Sequence, residues 1–432
     1  MTGDSNKDIP RTGAPFRWNV PDHFNFGAHI DTLALDPDRP ALLWEDANGN
    51  RGRATFADIA AQSNRIANVL IGCGVRPADR IIVAIPDLML WPSICAGVLK
   101  TGAVAVALDS RVSAEDFVAC VNLCAARVAI MDGDRATSLP DLRSRCPALA
   151  HLLVAASPRL GWTSLREAMR QVSPLFTPAP TRALDPAICY RAAEGGASRL
   201  VRHSHASIWS NHRAGADWLG LRPGDIHWAV FEVASHPGIS AALFAPWMNG
   251  VTTFIYHGPF NAARAIDLLE RYRINSLCAS ERKYRMLNEA APDRHRLFAL
   301  RQCTSASAPL SAETLAAWRA HCGLIVRPGY GRPEIAVFAA NPPGTRVKPG
   351  SLGLPFPGHE VVVLDRRGIL AREGHAGELA IRVRPDRPPS LFLDYYNDPA
   401  ATASEFRGDY YFTGISASRD AEGYLSLAEK ET

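Results

Sequence analysis

From about Ala54 onward, apolar and polar positions follow two rhythms in turn, one helical and one extended. FADIAAQSNRIANVLIGCG repeats its apolar residues at helical spacing and closes on glycine, which predicts an amphipathic helix. RIIVAIP then predicts a strand, LMLWPSICAGVLKTG a helix, AVAVAL a strand, SAEDFVACVNLC a helix, and RVAIMD and HLLVAA two further strands. Short, continuous apolar runs between helices predict a parallel sheet covered on both faces. The Pro-rich LFTPAPTRALDP reads as a connector. Past it, DIHWAV, VTTFIYH, INSLCAS, LRQCTSAS and GLIVRPGY predict strands. They are separated by the predicted helices GISAALFAPWMNG, NAARAIDLLERYR, ERKYRMLNEA and AETLAAWRAHC. Beyond Pro342 the pattern changes: HEVVVLD and GELAIRVR flank the turn Arg366-Arg367-Gly368, predicting antiparallel β structure in a small barrel or distorted sheet.

The expected fold class is therefore α/β: two packed α/β sheet layers plus a smaller β-rich subdomain. The expected divisions are a polar tail over 1–16, a first α/β subdomain over 17–185, a second over 186–341 and the β-rich part over 342–432. No internal repeat or low-complexity tract interrupts them.

One stretch carries candidate chemistry. YRAAEGGASRLVRHSH, Tyr190 to His205, follows the apolar Ala187, Ile188 and Cys189 and precedes a predicted helix. That is the setting in which backbone N–H groups and a helix N-terminus collect phosphate. A working loop combines glycines with hydroxyls and a Lys. This one has Gly195, Gly196 and Ser198, no Thr or Lys, and an acid, Glu194, in its middle. The same residues also read as a plain surface turn that binds nothing.

Composition narrows the class. With 432 residues, 47% hydrophobic and 21% charged, the chain has the make-up of an ordinary globular protein of two or three domain-sized units. A formal charge of +4 without a basic block gives nucleic acid no electrostatic footprint. The nine scattered cysteines lack metal-ligand spacing and suggest reduced thiols in a cytoplasmic setting, with Cys120 and Cys124 reading as small core residues. The polar N-terminus is no secretory signal, and Ile81 to Leu108 is broken by Pro86, Asp87, Pro92 and Lys100, so no membrane span is expected.

Several collinear stretches together resemble one family, the adenylate-forming (AMP-binding) acyl- and aryl-CoA ligases, in particular benzoate-CoA-ligase-like members. They are VPDHFNFGAHI, RPALLWEDANG, DLMLWPSICAGVLKTGAVAVALDSRVSAEDF, HSHAS, TSASAPL, GYGRPE, KPGSLGLPFPGHEVVVLD, YYNDPAAT and YYFTGISASRDAEGYL. The resemblance runs from about residue 17 to the C-terminus. It implies the fold of the family's large N-terminal domain. It also implies a reaction in which a carboxylate attacks the α-phosphate of Mg-ATP and CoA then displaces AMP, with stabilising donors and a metal-binding acid around the phosphates.

Carried over position by position, the resemblance implies a vestigial nucleotide site. Its loop would comprise Gly195, Gly196, Ser198 and Arg199, the last replacing the family's Lys with a different donor geometry. Its adenine segment would be Ser305, Ala306 and Ser307, followed by Tyr330, Gly331 and Glu334, with Glu334 the candidate Mg ligand. Pro333 stands for the family's Thr, and after Thr413 the ribose-binding Asp is Ile415. A Glu194 carboxylate about 5 Å from a phosphate would repel it by roughly 3 kcal/mol at an effective dielectric of about 20. The resemblance further implies a mobile C-terminal domain after the hinge; the matching residues Glu429 to Thr432 end the sequence, so that lid is expected to be absent. FEVASHPGISAALF would line the substrate tunnel, placing Ser235, His236, Gly238 and Tyr330 around an aromatic or acyl carboxylate or its thioester. His236 reads equally as a core histidine, and His203 and His205 as facing a ligand or capping a helix.

The expected function is accordingly a ligase homologue with a degraded ATP site that keeps a carboxylate pocket and acts by binding a ligand or a protein partner. Two rivals stand beside it: a true enzyme, either an active AMP-forming aromatic or medium-chain carboxylate-CoA ligase working with a separate lid domain or an unusual loop, or one using the pocket for other acyl chemistry without ATP; and a decaying gene product without a role.

Overall fold

The computed structural model describes residues 16–85, 89–133, 137–139, 141–155, 161–194, 197–231, 236–306 and 309–428. Strands Arg80–Ala84, Val104–Ala107 and Val128–Met131 are almost wholly buried, as their unbroken apolar runs require. They pair in parallel at the centre of an eight-stranded sheet. Helix Phe56–Gly72 begins with a reciprocal cap between Thr55 and Asp58 and is followed by Gly74 at φ 74°. It packs on Trp91–Lys100, every residue of which is buried. The two helices meet at Gly97, where a Cβ would lie 2.8 Å from Ile66. Lys100 ends that helix fully buried, its Nζ 2.6 Å from Asp31 and 2.5 Å from Asn64.

Among the described residues the second sheet has fourteen strands. Its parallel part runs Pro40–Asp46, Thr252–His257, Ile226–Val230, Ser276–Ala279, Gln302–Ala306 and Val326–Arg332. Antiparallel strands Ile335–Ala340, Ser351–Pro355, Leu425–Leu427, Tyr410–Arg419, Gly377–Arg382 and Val361–Leu364 extend it. The β-rich part is thus continuous with this sheet, and among the described residues it does not close into a barrel.

The sheets do not follow the divisions read from the sequence. Pro40–Asp46 and Arg51–Thr55 belong to the second sheet, whereas Pro186–Glu194, Ala197–Ser204 and Asp394–Tyr395 belong to the first. Boundaries at 185 and 341 follow composition, but sheet membership follows hydrogen bonding between distant segments. No helix among the described residues is long and apolar enough to cross a membrane. All nine cysteines are free; Cys120 and Cys124 are buried, and burial pushes the Cys124 thiol up to about 12.

Candidate functional site

Pro186–Glu194 and Ala197–Ser204 form an antiparallel hairpin whose register shifts once between Pro186 and Ile188 and then runs from Ile188 opposite His203 to Glu194 opposite Ala197. The strands are therefore joined by residues 195 and 196 alone. Gly195 and Gly196 lie outside the described residues, as do the side chains of Glu194 and Ser198. The predicted helix follows the stretch Tyr190–His205 as expected, and so does not start at this two-residue connection. It runs His205–Arg213, a full strand later, and the Ser204 hydroxyl already accepts from the Ser207 N–H at its start. The start of that helix therefore lies at the far end of the hairpin, with one of its orphan N–H groups held by its own serine.

The neighbouring charges have partners of their own. Arg191 pairs with Asp116 at 2.8 Å. The Arg199 guanidinium lies over the Tyr395 ring at 5.1 Å and 4.0 Å from Asp398. Both histidines point inward. His203 bonds the Pro333 carbonyl through Nε2 at 2.7 Å and the Ser207 hydroxyl through Nδ1 at 2.9 Å, tying this hairpin to the GYGRPE segment. His205 is buried, and neither ring nitrogen has a partner among the described residues. Ser204, not a histidine, caps the helix.

Burial lowers His203, His205, His227 and His359 to about 4. Their folded values lie below that of the unfolded chain, so the unfolded chain binds more protons between pH 6.5 and 4. The stability they confer is complete above about pH 6.5 and is lost as pH falls toward 4, by about 1.4 kcal/mol per pH unit for each histidine that titrates. Urea midpoints at pH 7.0 and 5.0 should therefore differ, the lower pH giving clearly the lower midpoint; equal midpoints would contradict burial of these rings as neutral groups.

GYGRPE forms a second hairpin, with Arg332 opposite Ile335 and Pro333-Glu334 at the turn. Glu334 is only 1% exposed. Its Oε1 accepts the Tyr395 hydroxyl at 3.0 Å, its Oε2 the Arg332 Nε–H at 3.3 Å, and its carbonyl the Phe392 N–H at 2.7 Å. Burial first, then the Glu334 charge, pushes the Tyr395 hydroxyl far up, so it remains a donor. Thr413 is buried, its hydroxyl donating to the Leu379 carbonyl at 2.7 Å. Ile415, in strand Tyr410–Arg419, packs with Val363, Leu379, Ile381 and Tyr411 and is 8% exposed. Ser305 is fully buried with its Oγ unpartnered among the described residues, and Ser307 lies outside them.

A cavity of about 220 Å³ opens beside these hairpins. Its wall includes Asn211, Trp218, Ser240, Ala241, Arg332 and Val337 and is mostly apolar. Two π-helical turns, Ala214–Trp218 and Ser240–Phe244, both contribute to it. Wide turns of this kind recur at functional sites, and each has a local cause. Pro246, in the turn after Ser240–Phe244, lacks an N–H and crowds the carbonyl four residues before it. Gly215, inside the other, loosens its helix and allows close approach, since a Cβ there would meet the Ala245 carbonyl oxygen at 2.8 Å.

Of the residues expected to line the substrate pocket, Ser235 lies outside the described residues and the side chain of His236 is not described. Gly238 is buried but absent from this wall, and Tyr330 packs edge-on against Phe338 at 5.7 Å instead. Ala306 and Gly331, expected at the nucleotide, do line it. Asn211 and Trp218 escape the sequence reading, while Ser240 and Arg332 fall within FEVASHPGISAALF and GYGRPE without being singled out there; the available signal was Gly215 and Pro246 inside helical runs. Among the described residues no cluster of three or more His, Cys, Asp or Glu could hold a metal ion.

The family model of the AMP-binding enzymes matches residues 31–396. The mitochondrial acyl-coenzyme A synthetase ACSM5 of Mus musculus is 31% identical over 423 residues, which cover 95% of this chain and 73% of that protein. Its human relative ACSM3 is 29% identical over 422 residues, covering 95% and 72%. A solved anthranilate CoA ligase in complex with anthranoyl-AMP superposes with a TM-score of 0.86 at 24% identity, over 94% of this chain and 78% of its own. This two-sheet fold, with its hairpins and cavity, is that of the large N-terminal domain of adenylate-forming enzymes, and the chain belongs to the AMP-binding enzyme family.

Proposed function

We propose that this chain binds a small aromatic or acyl carboxylate, or its thioester, without activating it through ATP. The observation that carries the reading is Glu334. The family implies ATP, magnesium and CoA, and the resemblance makes this acid the metal ligand. Here both of its oxygens are engaged within the fold, by Tyr395 and Arg332. Turning it toward a cation would take the acceptor from the buried Tyr395 hydroxyl, at about 1–3 kcal/mol, and break its ion pair with Arg332. A ribose at Ile415 would meet an apolar side chain where its hydroxyls need an acceptor, a loss of similar size. Arg191 and Arg199 are drawn to Asp116 and to Tyr395 with Asp398. The residues present therefore do not fit Mg-ATP, and no step is assigned to it.

The cavity, by contrast, retains the character of a small-ligand site: an apolar wall with a few polar groups. Incubation with Mg-ATP, CoA and a panel of benzoates and short-chain acids should release no pyrophosphate above background. Ligand-observed NMR should still detect at least one of the acids on the protein. Steady pyrophosphate release dependent on an acid would overturn the reading and favour a working ligase.

A further inference from the structure

In the first sheet the parallel strands stand in the order Val104–Ala107, Arg80–Ala84, Val128–Met131, His151–Val154 and Thr163–Ser164. The chain passes from Arg80–Ala84 to its neighbour on one side and then crosses to the other, so the winding reverses beside Val128–Met131. Sheets wound in this order place ligands in the crevice outside the carboxyl ends of their strands, at that reversal. A groove of about 460 Å³ opens at those ends. Leu90 follows Arg80–Ala84, Ala155 follows His151–Val154 and Leu165 follows Thr163–Ser164; with Met169 they supply its apolar wall. The volume is that of a small-molecule site, and no residue lines both this groove and the 220 Å³ cavity.

The remaining wall is cationic. Arg65, in helix Phe56–Gly72, is anchored through Nη1, which donates to the carbonyls of Met169 at 3.1 Å and Val172 at 2.7 Å. Its Nε and Nη2 have no partner among the described residues. Arg166 and Arg170, one turn apart on helix Leu165–Arg170, are exposed and have no hydrogen-bond or ion-pair partner among the described residues. Gln62 accepts the Ser93 hydroxyl at 3.2 Å through Oε1, which leaves its amide N–H groups to donate. No acidic residue is among the described residues that line the groove. Like charges four apart on a helix repel, and a cationic groove without a carboxylate draws an anion.

The donor set narrows the anion. Three guanidiniums and an amide offer more than the two oxygens of one carboxylate can engage, and they suit the three terminal oxygens and near-double charge of a phosphate monoester. The apolar wall suits an organic body attached to it. We propose that this groove binds a small organic phosphate monoester. Arg65, Arg166 and Arg170 hold the phosphate oxygens, and Leu90, Ala155, Leu165 and Met169 pack against the organic part. The site is separate from the carboxylate cavity, and neither depends on the other.

The test is calorimetry at low ionic strength, without magnesium or nucleotide, on the wild type and on Ala241→Phe, in which the 220 Å³ cavity is filled. The probes are phenyl phosphate, inorganic phosphate, benzoate and a phosphoserine peptide. Phenyl phosphate should bind both proteins alike. In Ala241→Phe it should bind about ten-fold or more tighter than inorganic phosphate and benzoate. The double variant Arg166→Ala, Arg170→Ala and, separately, Arg65→Gln should each weaken it about ten-fold or more. No binding of phenyl phosphate, or unchanged binding in the double variant, overturns the inference. So does equal affinity for inorganic phosphate or benzoate, since either removes the organic phosphate from the site. Loss of phenyl phosphate in Ala241→Phe alone moves it to the other cavity, and tighter binding of the peptide assigns the groove to a phosphorylated protein; both overturn the inference. Should Arg65→Gln fail to fold, the double variant, at two exposed positions, decides the matter.

Discussion

Ala241→Phe is expected to abolish carboxylate binding, weakening it at least a hundred-fold, while the protein remains folded. Ala241 is 3% exposed, lines the cavity and sits within the π-helical turn Ser240–Phe244. A benzyl group there takes the space a ring would use, and a site of about 220 Å³ has no room for both. Overpacking a close-packed core typically costs about 1–3 kcal/mol; the empty volume absorbs much of that, so the melting temperature should fall modestly. The check is calorimetry with whichever acid binds the wild type, together with circular dichroism. Unchanged affinity in a folded Ala241→Phe protein would place the ligand elsewhere.

The largest expected loss of stability follows from Glu45→Gln. Glu45 lies in strand Pro40–Asp46, and its carboxylate is fully buried. It accepts from Arg264, from Arg271 at 3.0 Å and from the Tyr272 hydroxyl at 2.8 Å, which clamps helix Ala262–Arg271 onto the second sheet. Burial, reinforced by Glu45, pushes the Tyr272 hydroxyl up to about 12. Removing the negative centre of such a cluster strands two cations and a hydroxyl that were arranged around it. Breaking a buried pair in this way costs about 3–5 kcal/mol. Arg264 and Arg271 keep 29% and 45% exposure and regain some hydration, so the expected cost is about 3 kcal/mol. Arg271→Gln, at the more exposed end, should cost under about 1 kcal/mol. Urea denaturation of the two variants reads the contrast directly; equal and small effects would contradict it.

These two sites differ in how far the chain foretells them. Arg80–Ala84 and Val104–Ala107 are legible because a strand buried on both faces needs an unbroken apolar run, and nothing else in a short segment produces one. Glu45 carries no local signal, since its partners lie 219 to 227 residues further along and only the folded sheet brings them near. The stretch from Tyr190 to His205 reads as a loop before a helix because its glycines and scattered polar residues interrupt any strand pattern. Arg199 and Arg202 meet residues almost two hundred positions away, Arg202 pairing with Asp394 and Arg199 lying over Tyr395, and Ala197–Ser204 is a strand. GISAALFAPWMNG is correctly read as helical, but its widening before Pro246 is an effect of one missing N–H that hydrophobic periodicity does not register. That widening places Ser240 on the cavity wall.

The departures from the family's nucleotide-binding pattern divide in the same way. Pro333 and Ile415 can be named from the sequence once the resemblance is drawn. The bonding of Glu334 to Tyr395 and Arg332 cannot, because Tyr395 arrives from a strand of the other sheet. The proposed loss of nucleotide binding rests on that bonding, so nucleotide affinity tests it most directly. Titration of the protein with Mg-ATP in a calorimeter, up to millimolar nucleotide, should give no saturable heat. A saturating isotherm with a micromolar dissociation constant would contradict it.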